Sequence, residues 1–187
     1  KKHSNRGFSC TGHSYIVLIG MPGAGKTTVG MLLSKKLNMP FLDTDHIIQQ
    51  RENASLQEII NEKGLKAFLE IEEAAVMSLD VQNHVISTGG SVVYSRKAMQ
   101  HLKKSSRIVY LQLGYRHLSK RIKNMSTRGI AMSESQTFLD IYKERVSLYK
   151  RYADITIHCA GKYKGKVVAE IIKKLGREMN KEMKETE

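Results

Sequence analysis

The octapeptide Gly20-Met21-Pro22-Gly23-Ala24-Gly25-Lys26-Thr27 restricts the folding of this chain more than any other stretch. It follows Tyr15-Ile16-Val17-Leu18-Ile19, an apolar run with the length of a buried strand. After it, Val29, Leu32, Leu33 and Leu37 recur at the spacing of one helix face over residues 28–37. A glycine-rich turn between strand and helix aims successive backbone N–H groups at one anion, and the helix N-terminus adds its partial positive charge. The pattern G-x-x-x-x-G-K-[ST] adds a lysine that reaches outer phosphates and a hydroxyl that can ligate magnesium. An ordinary strand–helix turn needs neither. The sequence therefore sets aside Gly23, Ala24, Gly25, Lys26, Thr27 and Thr28 for nucleotide phosphates, with Thr27 also a metal candidate.

The remaining pattern alternates strands and helices. Short apolar runs at 39–42, 85–87, 108–111 and 155–157 read as further strands. Helices are expected over 56–63, 65–79, 95–102, 118–123, 137–153 and 167–175, the first opened by the capping box Ser55-Leu56-Gln57-Glu58 and stopped by Gly64. In the helix after Gly64, the apolar spacing runs Leu65, Phe68, Leu69, Glu72, Val76. Five strands alternating with helices imply a three-layer α/β domain with a parallel sheet. Two places at strand ends attract attention. Asp43-Thr44-Asp45 puts two carboxylates where a metal and a substrate could meet, although an aspartate there can also cap the following helix. Thr88-Gly89-Gly90-Ser91 puts glycines where a ligand could approach the backbone, or where the chain only turns. Residues 124–136 are polar and without periodicity, as expected of a mobile lid or a disordered loop. Residues 1–13 read as a flexible basic tail, 14–176 as one domain and 177–187 as a charged tail.

Composition narrows the function classes. With 31 Lys and Arg against 18 Asp and Glu, the net charge is +13, yet no basic-aromatic run or nucleic-acid motif accompanies it. A site for a polyanionic nucleotide and an anionic substrate accounts for part of the excess, and solvated surface for the rest. The two cysteines, Cys10 and Cys159, form neither a disulfide framework nor a metal-ligand spacing. No signal-like or membrane-spanning apolar segment is evident. The expectation is a cytoplasmic, monomeric protein with a small-molecule partner and no nucleic-acid or membrane partner.

Taken in order, these motifs make the chain similar to the shikimate kinases, P-loop small-molecule kinases related to nucleoside monophosphate kinases. The likeness runs from about Tyr15 to Leu175 and includes the phosphate loop, Asp43-Thr44-Asp45, a Gly…Phe…Glu helix, Thr88-Gly89-Gly90 and Glu-Arg-x-x-x-Tyr-x-x-x-Ala-Asp from Glu144 to Asp154. The resemblance implies a P-loop NTPase fold with sheet order 2-3-1-4-5 and a lid. It also implies transfer of the ATP γ-phosphoryl group to the 3-hydroxyl of shikimate, with Mg²⁺ as cofactor. It gives Lys26 the transferring phosphate, Thr27 and Asp43 the metal, and Asp45 the substrate hydroxyls and the orientation of the nucleophile. Gly89 and Gly90 would supply backbone contacts to substrate, Arg121 would lie near the adenine, Arg128 would come in on the lid, and Arg145 would pair with the substrate carboxylate.

The departures fall at the acceptor end. Where the family carries Gly-Glu-x-x-Phe-Arg-x-x-Glu, this chain reads Gly64-Leu65-Lys66-Ala67-Phe68-Leu69-Glu70-Ile71-Glu72. Leu69 replaces a substrate-gripping arginine and Leu65 the glutamate four residues before it, so a pair that would meet on one helix face has become apolar. Ser91 stands for the third glycine of a Gly-Gly-Gly run, and Gly129 for the proline after the lid arginine, which is expected to loosen the lid. Three functions remain open: a shikimate kinase with a rebuilt carboxylate site, a kinase of another small hydroxylated metabolite, or a nucleotide-binding regulatory protein without catalysis.

Overall fold

The computed structural model describes residues 15–122, 129–133 and 135–185. Its centre is β1 (Tyr15–Ile19), buried at every position. β1 pairs in parallel with β3 (His84–Ser87) on one side and β4 (Ser106–Gln112) on the other. β2 (Phe41–Asp43) lies outside β3, and β5 (Ile155–His158) lies outside β4, again in parallel. The order is β2-β3-β1-β4-β5, as expected. A parallel strand covered on both faces must be apolar along its whole length, hence Tyr15-Ile16-Val17-Leu18-Ile19.

Among the described residues, seven α-helices flank the sheet: α1 (Lys26–Leu37), α2 (Thr44–Glu52), α3 (Leu56–Met77), α4 (Arg96–Ser105), α5 (Tyr115–Arg121), α6 (Phe138–Tyr152) and α7 (Lys164–Glu185). Helices α1 and α7 pack on each other, α2 packs on α3, and α3 on α4. The main core joins the strands to Val29, Leu33, Leu102, Ile141 and Ile171, while a satellite core of Ile48, Ile59, Phe68, Ala75 and Ala131 ties α2 to α3. Ser55 and Glu58 close the full capping box expected on α3, and the structure shows a second on α6, from Thr137 and Asp140.

Gly64 breaks the helix as expected, at φ 82 and ψ 164, so α3 is two helices joined across a kink at this residue. A difference comes at the C-terminal helix. The helix expected over 167–175 continues to Glu185. Its last turns carry no apolar stripe, but they are rich in Lys, Glu and Met, which propagate a helix already docked through Val167, Val168, Ile171 and Leu175. Among the described residues no helix is long and apolar enough to cross a membrane.

In an open parallel sheet the ligand crevice lies beyond the carboxyl ends of the strands, where the chain leaves the central strand in opposite directions. Here β1, β2 and β3 end in the phosphate loop, Asp43 and Thr88-Gly89-Gly90 respectively. The sheet thus brings three sequence-distant motifs to one edge.

Candidate active site

The phosphate loop is built as an anion cradle. Gly25 takes the N-cap position of α1 at φ 97, a left-handed conformation that favours glycine, and no side chain caps the helix. The first turn also lacks an acidic residue, so its N–H donors and partial positive charge face outward unopposed. Lys26 folds back under the loop, its Nζ donating to the carbonyls of Gly20 (2.8 Å) and Met21 (3.1 Å). Burial pushes the Lys26 ammonium below its usual range, and Asp45 and Asp43 pull the other way. The cradle opens into a cavity of about 700 Å³ bordered by Gly23, Gly25, Thr27, Thr28, Arg121 and Lys164. Arg121 reaches across it, Nη1 donating to the Gly23 carbonyl at 3.2 Å.

Asp43 caps α2 with one carboxylate oxygen and leaves the other turned toward the phosphate loop. Its Oδ1 accepts from the Asp45 N–H at 3.0 Å, capping α2, and its Oδ2 accepts from Thr27 Oγ1 at 2.8 Å. A hydroxyl and a carboxylate side by side are hard oxygen donors, the set that suits Mg²⁺ held partly by water and partly by phosphate oxygens. Asp45 is half-buried, with Oδ1 shut away from solvent and lacking a partner among the described residues. Burial, with the Asp43 charge second, raises its carboxyl to about 6.

Pro22, Lys26 and Asp45 border the large cavity and also a second, small one of about 60 Å³. The small cavity continues between Phe68 and Glu72 of α3, Gly89, Gly90 and Ser91 after β3, Arg145 of α6, and Ile130 and Ala131. Arg145 is fully buried. It donates from Nε to Tyr94 Oη at 3.2 Å and from Nη2 to the Ala131 carbonyl, and its guanidinium lies 5.0 Å over the Tyr94 ring. The two glycines are placed by side chains around them. The Gly89 N–H donates to Thr44 Oγ1 at 3.2 Å, and Tyr149 Oη donates to the Gly90 carbonyl at 2.6 Å. A Cβ at Gly89 would lie 2.0 Å from Glu72 Oε1 and 2.8 Å from Asp45 Oδ1, so only glycine lets both carboxyls converge there.

Glu72 is 2% exposed, and burial raises its carboxyl to about 7. Hydrogen bonding to Ser91 opposes that rise, the Asp45 charge adds to it, and Arg145 and Lys26 oppose it. An acid whose folded value exceeds its unfolded value stabilises the fold fully below about pH 4.5 and loses that contribution as pH climbs toward 7. Glu72→Gln removes this dependence. We expect it to melt above wild type at pH 8 by about 1–3 kcal/mol of stability, and to lose the advantage at pH 5. Parallel melting curves at the two pH values check this; an equal difference at both would show that Glu72 stays ionised.

The structure thus gathers Lys26, Thr27, Asp43, Asp45, Gly89, Gly90 and Arg145 at one edge, with Arg121 bordering the large cavity. Arg128 lies outside the described residues. Leu69, expected to touch substrate, does not border the small cavity. The helix face turned toward it carries Phe68 and Glu72, four residues apart, and Leu69 sits one step round, in the neighbouring groove with Lys66, Ser91 and Tyr94. Leu65 and Leu69 pack against the satellite core, which explains why both are apolar. The segment 129–133 also differs from the polar loop expected. Ile130 and Ala131 are buried, and Gly129, at φ 59, donates its N–H to Gln57 Oε1 at 3.2 Å. A Cβ at Gly129 would stand 2.3 Å from the Leu56 Cβ, so this glycine permits close docking on α3 rather than loosening it. The sequence motifs include Glu72 and Tyr149 without giving either a role, and Tyr94 and Lys164 carried no signal. A carboxylate inside an apolar helix stripe was the further signal for Glu72.

Comparisons with known proteins agree with this geometry. The family model for shikimate kinase matches residues 22–176. A shikimate kinase from Sulfurihydrogenibium sp. is 32% identical over 163 residues, covering 87% of this chain and 98% of that protein. Human threonine synthase-like 1 is 38% identical over 153 residues, which are 81% of this chain but 21% of that protein. Among solved structures, the shikimate kinase from Acinetobacter baumannii in complex with shikimate superposes with a TM-score of 0.81 at 27% identity, covering 89% of this chain and 94% of the other. A match across the phosphate loop, the acceptor edge and α6 is more than a shared fold: the chain belongs to the shikimate kinase family.

Proposed function

We propose that this chain transfers the γ-phosphoryl group of ATP to a hydroxyl of shikimate with the help of Mg²⁺. The observation that carries the reading is the junction of the two cavities. Lys26 and Asp45 border both, so a phosphate in the large cavity and a hydroxyl in the small one would meet between them. Transfer of this kind requires positioning and charge neutralisation more than covalent help. Lys26 would leave the Gly20 and Met21 carbonyls for the transferring phosphate. Asp45, with its unpaired Oδ1, would accept from the attacking hydroxyl and orient it. Arg145 would exchange the Ala131 carbonyl for the substrate carboxylate, and Arg121 would cover the base. Thr27 and Asp43 would hold Mg²⁺, which when bound neutralises charge on the β- and γ-phosphates. Arg128 is assigned to the phosphates on the family pattern alone. A cavity of about 60 Å³ holds roughly two water molecules. Ile130 and Ala131 therefore have to withdraw before a six-membered ring can enter.

The direct test is ATP consumption by the purified protein with Mg²⁺, with and without millimolar shikimate. Shikimate-dependent turnover is expected, and nucleotide binding without turnover would overturn the reading. A second reading, a kinase of another hydroxylated metabolite, is favoured by one feature: Leu65 and Leu69 remove charge from the acceptor end. Leu69→Arg decides between them. Arginine at this position lies three residues from Glu72 on α3, where side chains meet. If shikimate is the acceptor, the added charge-assisted hydrogen bond lowers its KM about tenfold or more. An unchanged KM favours the other acceptor, to be sought among hydroxylated acids and polyols, whereas a raised KM shows that the new arginine pairs with Glu72 instead of substrate.

A further inference from the structure

The acceptor pocket contains a buried carboxyl oxygen that the reaction, as assigned above, does not use. Among the described residues Glu72 Oε1 has no hydrogen-bond partner, and it faces the same glycine as Asp45 Oδ1. Leaving a buried acceptor unpaired costs about 1–3 kcal/mol, so a fold keeps one where a ligand completes it. Two departures from the family pattern meet at this atom. Leu69 is apolar and turned into the neighbouring groove, so no arginine from α3 claims the carboxyl. Ser91, in the place of a glycine and 4% exposed, borders the same cavity beside Glu72, and its hydroxyl opposes the rise that burial imposes on that carboxyl. A lost guanidinium and a gained hydroxyl act on one side chain.

We propose that Glu72 selects the acceptor in this chain, its Oε1 hydrogen-bonding one hydroxyl of a polyhydroxylated ring that carries a single anionic group. The inference rests on the phosphoryl-transfer reading above. The single anionic group follows from the cations present: Lys26 belongs to the phosphate side, and Arg145 is the one guanidinium among the described residues bordering the small cavity. The hydroxyl follows from the pocket's oxygens. The groups facing Glu72 are Asp45 from α2, Lys26 from α1, Arg145 from α6 and Ser91 after β3. Burial raises the Glu72 carboxyl to about 7, so at neutral pH both its forms are populated and it can donate as well as accept. A hydroxyl answers both capacities, whereas a second carboxylate on the ligand would meet Asp45 without a cation to balance it. A site built to hydrogen-bond a hydroxyl also rejects analogues that lack it, because the buried group is again left unpaired.

The test is a cycle between protein and ligand. Wild type, Glu72→Met and Glu72→Gln are each assayed with shikimate and with three analogues, each lacking one ring hydroxyl. Methionine matches the volume of the buried side chain without its hydrogen bonds. Melting curves confirm folding, and calorimetric titration of each ligand in the presence of ADP gives the same comparison where turnover is lost. For wild type, we expect one analogue that keeps the reacting hydroxyl to lose about 10- to 100-fold in kcat/KM. In Glu72→Met that loss should shrink to less than threefold, because shikimate itself has become as poor as the analogue. In Glu72→Gln the amide still donates and accepts, so the discrimination should return. An analogue penalty that is the same in wild type and Glu72→Met would overturn the proposal and make Glu72 a structural group. Wild type that turns over no shikimate would instead overturn the function assigned above.

Discussion

Lys26→Met is expected to lower the rate of phosphoryl transfer by at least about 10²- to 10³-fold, while leaving a folded protein that still binds nucleotide. The rate loss follows from the position of Nζ, at the border shared by the nucleotide cavity and the acceptor pocket. A donor aimed where charge develops is worth more in a water-poor site than in bulk, and methionine has nothing to aim. Folding should survive because the change also removes a buried charge. The Gly20 and Met21 carbonyls lose their donor, at about 1–3 kcal/mol for each group left unsatisfied. Against this stands the relief of a desolvated ammonium, whose acidity is raised mainly by burial. The net change should be within about 2 kcal/mol, a Tm shift of a few degrees in a chain of this size. Single-turnover kinetics beside a melting curve separates the two quantities. Near-wild-type turnover would remove Lys26 from the transfer step, and a failure to fold would make its bonds to the loop a structural requirement.

Much of the fold could be read before any coordinates, because its signals are local. A continuous apolar run bounded by glycines has few meanings, and Tyr15-Ile16-Val17-Leu18-Ile19 became the central strand. The capping box at Ser55 set a helix start to within a residue. Gly64 was legible in the same way: it ends one helix, at φ 82 and ψ 164, and a second helix follows directly across the kink. Helix α7 ran past its apolar stripe because docked turns can extend through residues that would not nucleate a helix alone.

The acceptor pocket was harder to read, since its parts interact across the chain. Glu72 lies in the periodic stripe that includes Phe68 and Val76, and periodicity assigns a whole stripe to the core. Only the approach of Gly89, Asp45 and Ser91 distinguishes it from a buried structural acid. Tyr149 stands in the motif from Glu144 to Asp154, but its role was not legible there, because it holds the Gly90 carbonyl, 59 residues away in sequence. Gly129 was misread for a related reason. A glycine in place of a proline implies a looser backbone until the Leu56 side chain fills the space where its Cβ would stand.

Asp45→Asn should have two opposite effects, and their combination distinguishes a working carboxylate from a merely buried one. The amide keeps the shape and cannot accept a proton, so kcat with shikimate should fall about 10²- to 10⁴-fold if Asp45 orients and deprotonates the attacking hydroxyl. If it only binds a neighbouring hydroxyl, the loss should be smaller and appear in KM. Phosphoryl transfer needs little base assistance in its early stages, which makes the split between kcat and KM more informative than the size of the loss. Stability should move the other way. Asp45 Oδ1 and Glu72 Oε1 face one glycine, each without a partner among the described residues. Replacing Asp45 by asparagine removes one buried negative charge and places an amide donor within reach of the other carboxyl. In the ligand-free protein without magnesium, a gain of about 1–2 kcal/mol is expected, and Tm should rise by several degrees. Activity and stability that both decline would mean that Asp45 is held by contacts it needs for folding. A stabilised, inactive variant would mean that the two carboxyls are kept in opposition for the sake of the acceptor.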